Sequence, residues 1–209
     1  VYFDNLLDLL PGMAHKDLVS SASLEAVHAA VVARDRHGVP VMGFDLAGEE
    51  AGYPAGHHDA AYEEAHRHFL RKTVHAGEAY GPESIYAAIV RCHAERIGHG
   101  TFLFDAGRVR GRGVEDKAAY TDALAEYIAT MRITIEGCPT SNLQTIPELA
   151  GDIRNHPVSR MIEYGMAVAV ATDNTLVSHT DLNRELALVS DACALDLAGF
   201  KRLVLAGFK

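Results

Sequence analysis

The feature that most constrains this chain is an alternation. From residue 39 onward, short apolar runs at residues 39–47, 72–76, 96–99, 133–138 and 167–172 are separated by segments of helical periodicity. Most of the runs are rich in Val and Ile and nearly continuous, which predicts parallel strands covered on both faces. Between them, Leu124, Tyr127, Ile128 and Met131 fall at i, i+3, i+4 and i+7, one stripe of a helix over residues 121–131. Pro82 opens a second helix over 82–94, where Ile85, Ala88, Ile89 and Cys92 repeat that spacing. Pro157 opens a third and Gly165 closes it. Residues 23–33 read as a helix, 1–4 as the stub of a strand, and the Gly/Arg-rich stretch 107–113 as an exposed loop. Strands and helices in strict alternation define a parallel α/β fold.

Composition narrows the class. With 209 residues, 48% of them hydrophobic, the chain can fill one sizeable core, so residues 1–209 read as a single domain. The formal net charge of −9 and the lack of a Lys/Arg cluster exclude a phosphate-backbone partner. They do not exclude an uncharged nucleoside. No apolar run approaches the roughly 20 residues of a membrane span, so no membrane partner is expected. The three cysteines, Cys92, Cys138 and Cys193, are widely spaced and form no C-x-x-C pair. That implies neither a disulfide framework nor a zinc ribbon, and it points to a reducing, cytoplasmic setting. Twelve histidines hint at metal or proton chemistry.

Polar residues cluster where the apolar runs end. His75 and Glu78 follow the second run, His99 ends the third, Cys138-Pro139-Thr140-Ser141-Asn142 ends the fourth, and Asp173 and Asn174 end the fifth. A single histidine at a strand end is more often a satisfied polar residue than a ligand, and a single Asp there is usually a helix cap. In a parallel barrel, however, all strands aim their carboxyl ends at one face. Two histidines, a Glu and an Asp from separate strands would then converge, and such a set makes a hydrolytic metal site. His57 and His58 read as a surface loop, Cys138 as packing, and Ser141 and Asn142 as hydrogen-bonding braces of the site. The remaining histidines, His156 among them, read as solvated or as supports.

Thr73-Val74-His75-Ala76-Gly77-Glu78, Arg96-Ile97-Gly98-His99-Gly100, Cys138-Pro139-Thr140-Ser141-Asn142 and Thr172-Asp173-Asn174, preceded by Gly43-Phe44-Asp45-Leu46-Ala47-Gly48, resemble the motifs of the adenosine deaminase family in order. The resemblance spans about residues 39–208. It implies a (β/α)8 TIM barrel of the metal-dependent hydrolase type, represented here by its C-terminal five strand-helix units, with one Zn2+ per chain. His75 and Asp173 would be zinc ligands. Glu78 would protonate purine N1, and His99 would orient the attacking hydroxide or take its proton. Gly48 would offer its backbone N–H to the purine, and Asn174 would contact the base. The implied partner is a small-molecule purine nucleoside.

Physical chemistry supports these roles. A proton donor to a ring nitrogen must itself be protonated near neutrality, which calls for burial of Glu78. The implied reaction is hydrolytic deamination of adenosine or deoxyadenosine. The alternatives are another 6-aminopurine, such as adenine, or a non-catalytic relative that only binds. The family's first-strand His-x-His pair has no strand-like counterpart. The only such spacing is His66-Arg67-His68, on an amphipathic helix. The resemblance therefore implies segments omitted at both ends and within the N-terminal part. Chain breaks are expected near Asp4 and at residues 34–38, and the chain alone should not hold zinc tightly.

Overall fold

The computed structural model describes residues 12–208. Five strands form one sheet: β1 (Gly43–Leu46), β2 (Arg71–Ala76), β3 (Arg96–His99), β4 (Thr134–Gly137) and β5 (Ala167–Val170). They pair in sequence order and every pairing is parallel. Each predicted run coincides with one of them: β2 begins one residue earlier, β3 matches its run, and the other three are shorter than predicted. The helices are α1 (His15–His37), α2 (Asp59–Arg67), α3 (Pro82–Cys92), α4 (Lys117–Thr130), α5 (Pro139–Thr145), α6 (Val158–Glu163), α7 (Thr175–Ser178), α8 (Leu182–Ala192) and α9 (Leu197–Ala206). Sequential parallel order with a helix in every crossover is the winding of a barrel.

The strands alternate more than their sequence suggested. Val74, Ala76, Ile97, Ile135 and Val168 are buried in one cluster with Ile85, Ala88 and Cys92 of α3 and Leu124, Ala125 and Ile128 of α4. Burying each large aliphatic side chain there stabilises the fold by about 1.5–3 kcal/mol. The register places Asp45, Thr73 with His75, Arg96 with Gly98, and Glu136 on the opposite face. An Arg96–Glu136 ion pair lies on that face. The expectation of strands apolar on both faces therefore holds for one face only. The other is polar, and it lines the space where chemistry can occur.

Three local readings are corrected. The buried stripe of α4 is Thr121, Leu124, Ala125 and Ile128. Tyr127 and Met131 are exposed, so the stripe is the predicted one moved three residues toward the N-terminus, sharing Leu124 and Ile128. His58 is buried rather than on a surface loop, and its Nδ1 lies 2.7 Å from Ser23 Oγ. Residues 34–38 form the end of α1 and not a break. Gly38 adopts φ 66° and Val39 N donates to Ala33 O at 3.0 Å. The strand stub at 1–4 and the break near Asp4 fall outside the described residues. In the stretch 107–113 most residues are exposed, but Val109 is buried.

The two ends of the strands differ in kind. At the amino ends, buried Lys72 donates to Leu70 O and to Glu95 Oε1, both at 2.8 Å. That arrangement satisfies a charge and offers no open coordination. At the carboxyl ends the polar groups are only partly satisfied.

Candidate active site

His75 is the penultimate residue of β2, and its cross-strand partner is Gly98. A Cβ at Gly98 would lie 2.8 Å from His75 Nδ1, so the imidazole lies flat where only glycine leaves room. His75 Nδ1 is buried without a hydrogen-bond partner, while the rings of His75 and His99 meet edge-on at 4.7 Å between centroids. His99 ends β3 with φ 66°, and Asp173 follows β5 with φ 56°. Neither is glycine, and a left-handed backbone costs such residues about 1–3 kcal/mol. Strain of this kind persists where the surrounding structure over-determines it.

A chain of hydrogen bonds fixes the state of His99. Val158 N, which can only donate, gives its proton to His156 Nδ1 at 3.2 Å. Burial lowers the pKa of His156 to about 4, with help from His99, so the ring is neutral and its proton sits on Nε2. That proton goes to Asn142 Oδ1 at 3.2 Å, which also accepts from Thr101 Oγ1 at 3.2 Å. The amide nitrogen of Asn142 then donates to His99 Nδ1 at 3.0 Å. Burial, and then the neighbouring His75, hold His99 itself at about 4. Neutral His99 therefore carries its proton on Nε2, which lies 3.6 Å from Glu78 Oε2. The tautomer follows from one backbone donor at the far end of the relay.

Glu78 lies two residues beyond β2 with its side chain 19% exposed. Burial, then Asp173, then Glu50 raise its pKa from 4.5 to about 7. Near neutrality its contact with His99 joins a neutral imidazole to a half-protonated carboxyl and is not an ion pair. The loop carrying Glu78 rests on Glu50, which is 3% exposed. Glu50 Oε2 accepts from Glu78 N at 2.9 Å, Ala79 N at 2.6 Å and Tyr80 N at 3.2 Å. Glu50 Oε1 accepts from Gly77 N at 3.0 Å and Ser84 Oγ at 2.5 Å.

Asp173 Oδ2 accepts from Ser141 Oγ at 2.7 Å. The cap that a post-strand acid usually supplies is supplied instead by Asn174, whose Oδ1 accepts from Leu176 N and Val177 N. Its amide nitrogen remains available for a substrate base. Gly48 is exposed with φ 102°, a backbone position suited to glycine at the mouth of the site. Cys138 is buried and its thiol is pushed up to about 12, mainly by burial, so it packs and is no nucleophile.

The donor set fits a zinc ion only in part. His75 brings an imidazole without a competing partner on Nδ1, and Asp173 a carboxylate oriented by Ser141. A catalytic zinc takes about three protein ligands or more. Among the described residues no group of three or more His, Cys, Asp or Glu is placed to hold a metal. The described residues thus do not complete a metal site.

Sequence reasoning missed Glu50 and undervalued His156. Glu50 stands beside Glu49, and nothing in the pair marks one as buried. His156 read, with the other remaining histidines, as solvated or as a support, and nothing in the sequence marks it as buried against Asn142. The strand ends marked His75, Glu78, His99 and Asp173 as the candidates, with Asn142 as a brace, and the structure bonds Asn142 to His99.

Parallel strands in sequential order, with histidines and carboxyls at their carboxyl ends, define a parallel α/β fold of barrel winding. The comparisons make this particular. The adenosine deaminase family model matches residues 12–209, and the chain belongs to that family. Over 177 residues it is 40% identical to adenosine deaminase 1 of Streptomyces coelicolor, covering 85% of this chain and 41% of that protein. Over 201 residues it is 35% identical to adenosine deaminase of Mycolicibacterium vanbaalenii, covering 96% and 52%. The chain thus spans about half the length of the curated relatives it matches. Among solved structures, adenine deaminase of Arthrobacter aurescens superposes with TM-score 0.71 at 19% identity, over 92% of this chain and 52% of that one. An amidohydrolase of Burkholderia ambifaria with bound Zn gives 0.71 at 21%, over 88% and 47%. An Arabidopsis protein complexed with IMP gives 0.69 at 25%, over 90% and 48%.

Proposed function

We propose that the protein containing this chain hydrolyses the 6-amino group of adenosine or deoxyadenosine, giving the inosine product and ammonia, with one zinc ion. His75 and Asp173 would be two of the zinc ligands, and the others would come from a segment outside these 209 residues. The observation that carries the reading is Glu78. It is a carboxyl raised to about 7 at the mouth of the strands, beside a histidine locked with its Nε2 proton toward it.

In this reading water adds to purine C6 while Glu78 delivers its proton to N1. The ring loses aromaticity at that moment, so charge on N1 must be neutralised as it forms. His99 offers Nε2–H as a donor that orients the attacking oxygen. With Nδ1 engaged by Asn142, His99 suits orientation better than proton abstraction. Gly48 N–H and the amide of Asn174 would hold the base. The proton released by the water passes through Asp173 to N6, the C6–N6 bond breaks and ammonia leaves, and the remaining C6 hydroxyl returns a proton to Glu78. The three free cysteines fit a reducing cytoplasm. Full-length protein assayed by the fall in adenosine absorbance should turn over adenosine faster than adenine, AMP or N6-methyl-AMP. Preference for adenine, whose deaminase shares the fold, would move the assignment to that substrate. No turnover of any 6-aminopurine by zinc-loaded enzyme would refute it.

A further inference from the structure

We propose that Glu50 is the positioning residue that sets the loop carrying Glu78 and ties it to the loop carrying Gly48; as a statement about catalysis this rests on the deaminase reading above. Four consecutive backbone N–H groups, from Gly77 to Tyr80, converge on its carboxylate, with the Ser84 hydroxyl as a fifth donor. Successive N–H groups wrapped round one anion form a nest, and a nest has one geometry per bound group. Gly77 makes the turn possible. It adopts φ 79°, and a Cβ there would lie 2.6 Å from Ile85 Cδ1. Glu50 comes from a different strand unit and follows Gly48 by two residues, so a single side chain fixes the spacing between the two segments assigned to the purine ring. Tyr80 adds a second tie, its hydroxyl accepting from Gly52 N at 2.9 Å. The negative charge of Glu50 also adds to the burial that keeps Glu78 protonated.

Both oxygens are in use, and this makes the residue type decisive. Gln has the size of Glu but replaces one acceptor oxygen with a donor. It must set an NH2 against either Gly77 N and Ser84 Oγ or the three N–H groups of residues 78–80. Asp keeps two acceptors and falls one methylene short.

The test uses full-length protein with Glu50→Gln and Glu50→Asp. Amide hydrogen exchange is measured at residues 77–80, alongside kcat and KM for adenosine and the binding of inosine. We expect Glu50→Gln to lose about tenfold or more of the amide protection at 77–80 while exchange in the β4 and β5 core is unchanged. We expect kcat to fall about 10–100-fold, as for a misplacement near 1 Å, with KM and inosine affinity within about threefold. Glu50→Asp should retain more kcat than Glu50→Gln. Wild-type protection at 77–80 in Glu50→Gln overturns the proposal. So does a kcat order of Gln above Asp, which would make side-chain size the determinant, or a kcat loss equal to the fraction of unfolded protein. The exchange measurement needs no turnover. If wild-type enzyme deaminates no 6-aminopurine, the functional reading fails while anchoring by Glu50 is still decided by the four amides.

Discussion

Replacing Glu78 with Gln should separate catalysis from stability in opposite directions. Gln keeps the shape and can still hydrogen-bond a purine nitrogen, but it has no proton to give. General acid catalysis contributes about 10²–10⁴-fold, or roughly 3–5 kcal/mol of barrel-mouth chemistry at about 1.4 kcal/mol per factor of ten. The folded protein gains from the same change. Burial first, with Asp173 and Glu50 behind it, raises Glu78 from 4.5 to about 7. A raised carboxyl binds more protons folded than unfolded, so its contribution to stability is fully present below pH 4.5 and lost as pH rises through about 7. The gap between those values corresponds to about 3 kcal/mol at roughly 1.4 kcal/mol per unit. Metal-free Glu78→Gln should therefore be more stable than wild type at pH 8 by up to about that amount, with the advantage gone at pH 4. Urea melts at the two pH values measure the stability, adenosine absorbance measures kcat, and inosine titration measures binding. If kcat stays above about half of wild type, Glu78 is not the acid. Equal melts at both pH values would show that the site does not hold Glu78 protonated.

Three further substitutions test other parts of the site. Gly98→Ala puts a methyl 2.8 Å from His75 Nδ1 and must displace the ring, so zinc content and kcat/KM of the full-length enzyme should both fall, the latter by about tenfold or more; wild-type values of both would remove His75 from the site. Asn174→Ala should lower kcat/KM with zinc unchanged, and should cost the α7 cap about 1 kcal/mol, so metal analysis showing lost zinc would make Asn174 a ligand instead. Asn142→Leu removes three buried hydrogen bonds at about 1 kcal/mol each and strands their partners, so a destabilisation of at least about 3 kcal/mol is expected in chemical melts. NMR of the His99 ring nitrogens should then show the Nε2–H form losing its dominance.

The strand units were legible because each run is dense in aliphatic residues and punctuated by Pro or Gly. The alternation within them was not, because His75, Arg96 and Glu136 occupy positions that only register assigns to a face. The α4 stripe shows the same limit. Tyr127 and Met131 are apolar, but Thr121 and Ala125 fill the space against the sheet. Near the site, the candidate groups stood at strand ends and could be read, whereas their supports come from distant segments. His156 acts on His99 through Asn142, and Glu50 acts on Glu78 across 28 residues of chain. Such pairings depend on burial, which one sequence does not display.

The supports share a logic that explains how the strained residues stay in place. His99 and Asp173 both hold left-handed backbone that favours glycine, and each is gripped from α5, by Asn142 and Ser141 respectively. Helix α5 is itself held by the fully buried Glu185, whose carboxylate accepts from Thr140 N at 3.1 Å and Thr180 Oγ1 at 2.5 Å. Glu50 does the corresponding work for the β2 loop. Two buried carboxylates thus brace the site: Glu50, bound by four backbone N–H groups and a hydroxyl, holds the loop that presents Glu78, and Glu185, bound by one backbone N–H and a hydroxyl, holds the helix that grips His99 and Asp173. A side chain needing a precise position can be mounted on a loop only if the backbone of that loop is over-determined, and charge-assisted hydrogen bonds to backbone amides achieve that with few residues. It follows that substitutions at Glu185 should disturb His99 and Asp173 together, whereas substitutions at Glu50 should disturb Glu78 and its spacing from Gly48 and leave His99 and Asp173 in place.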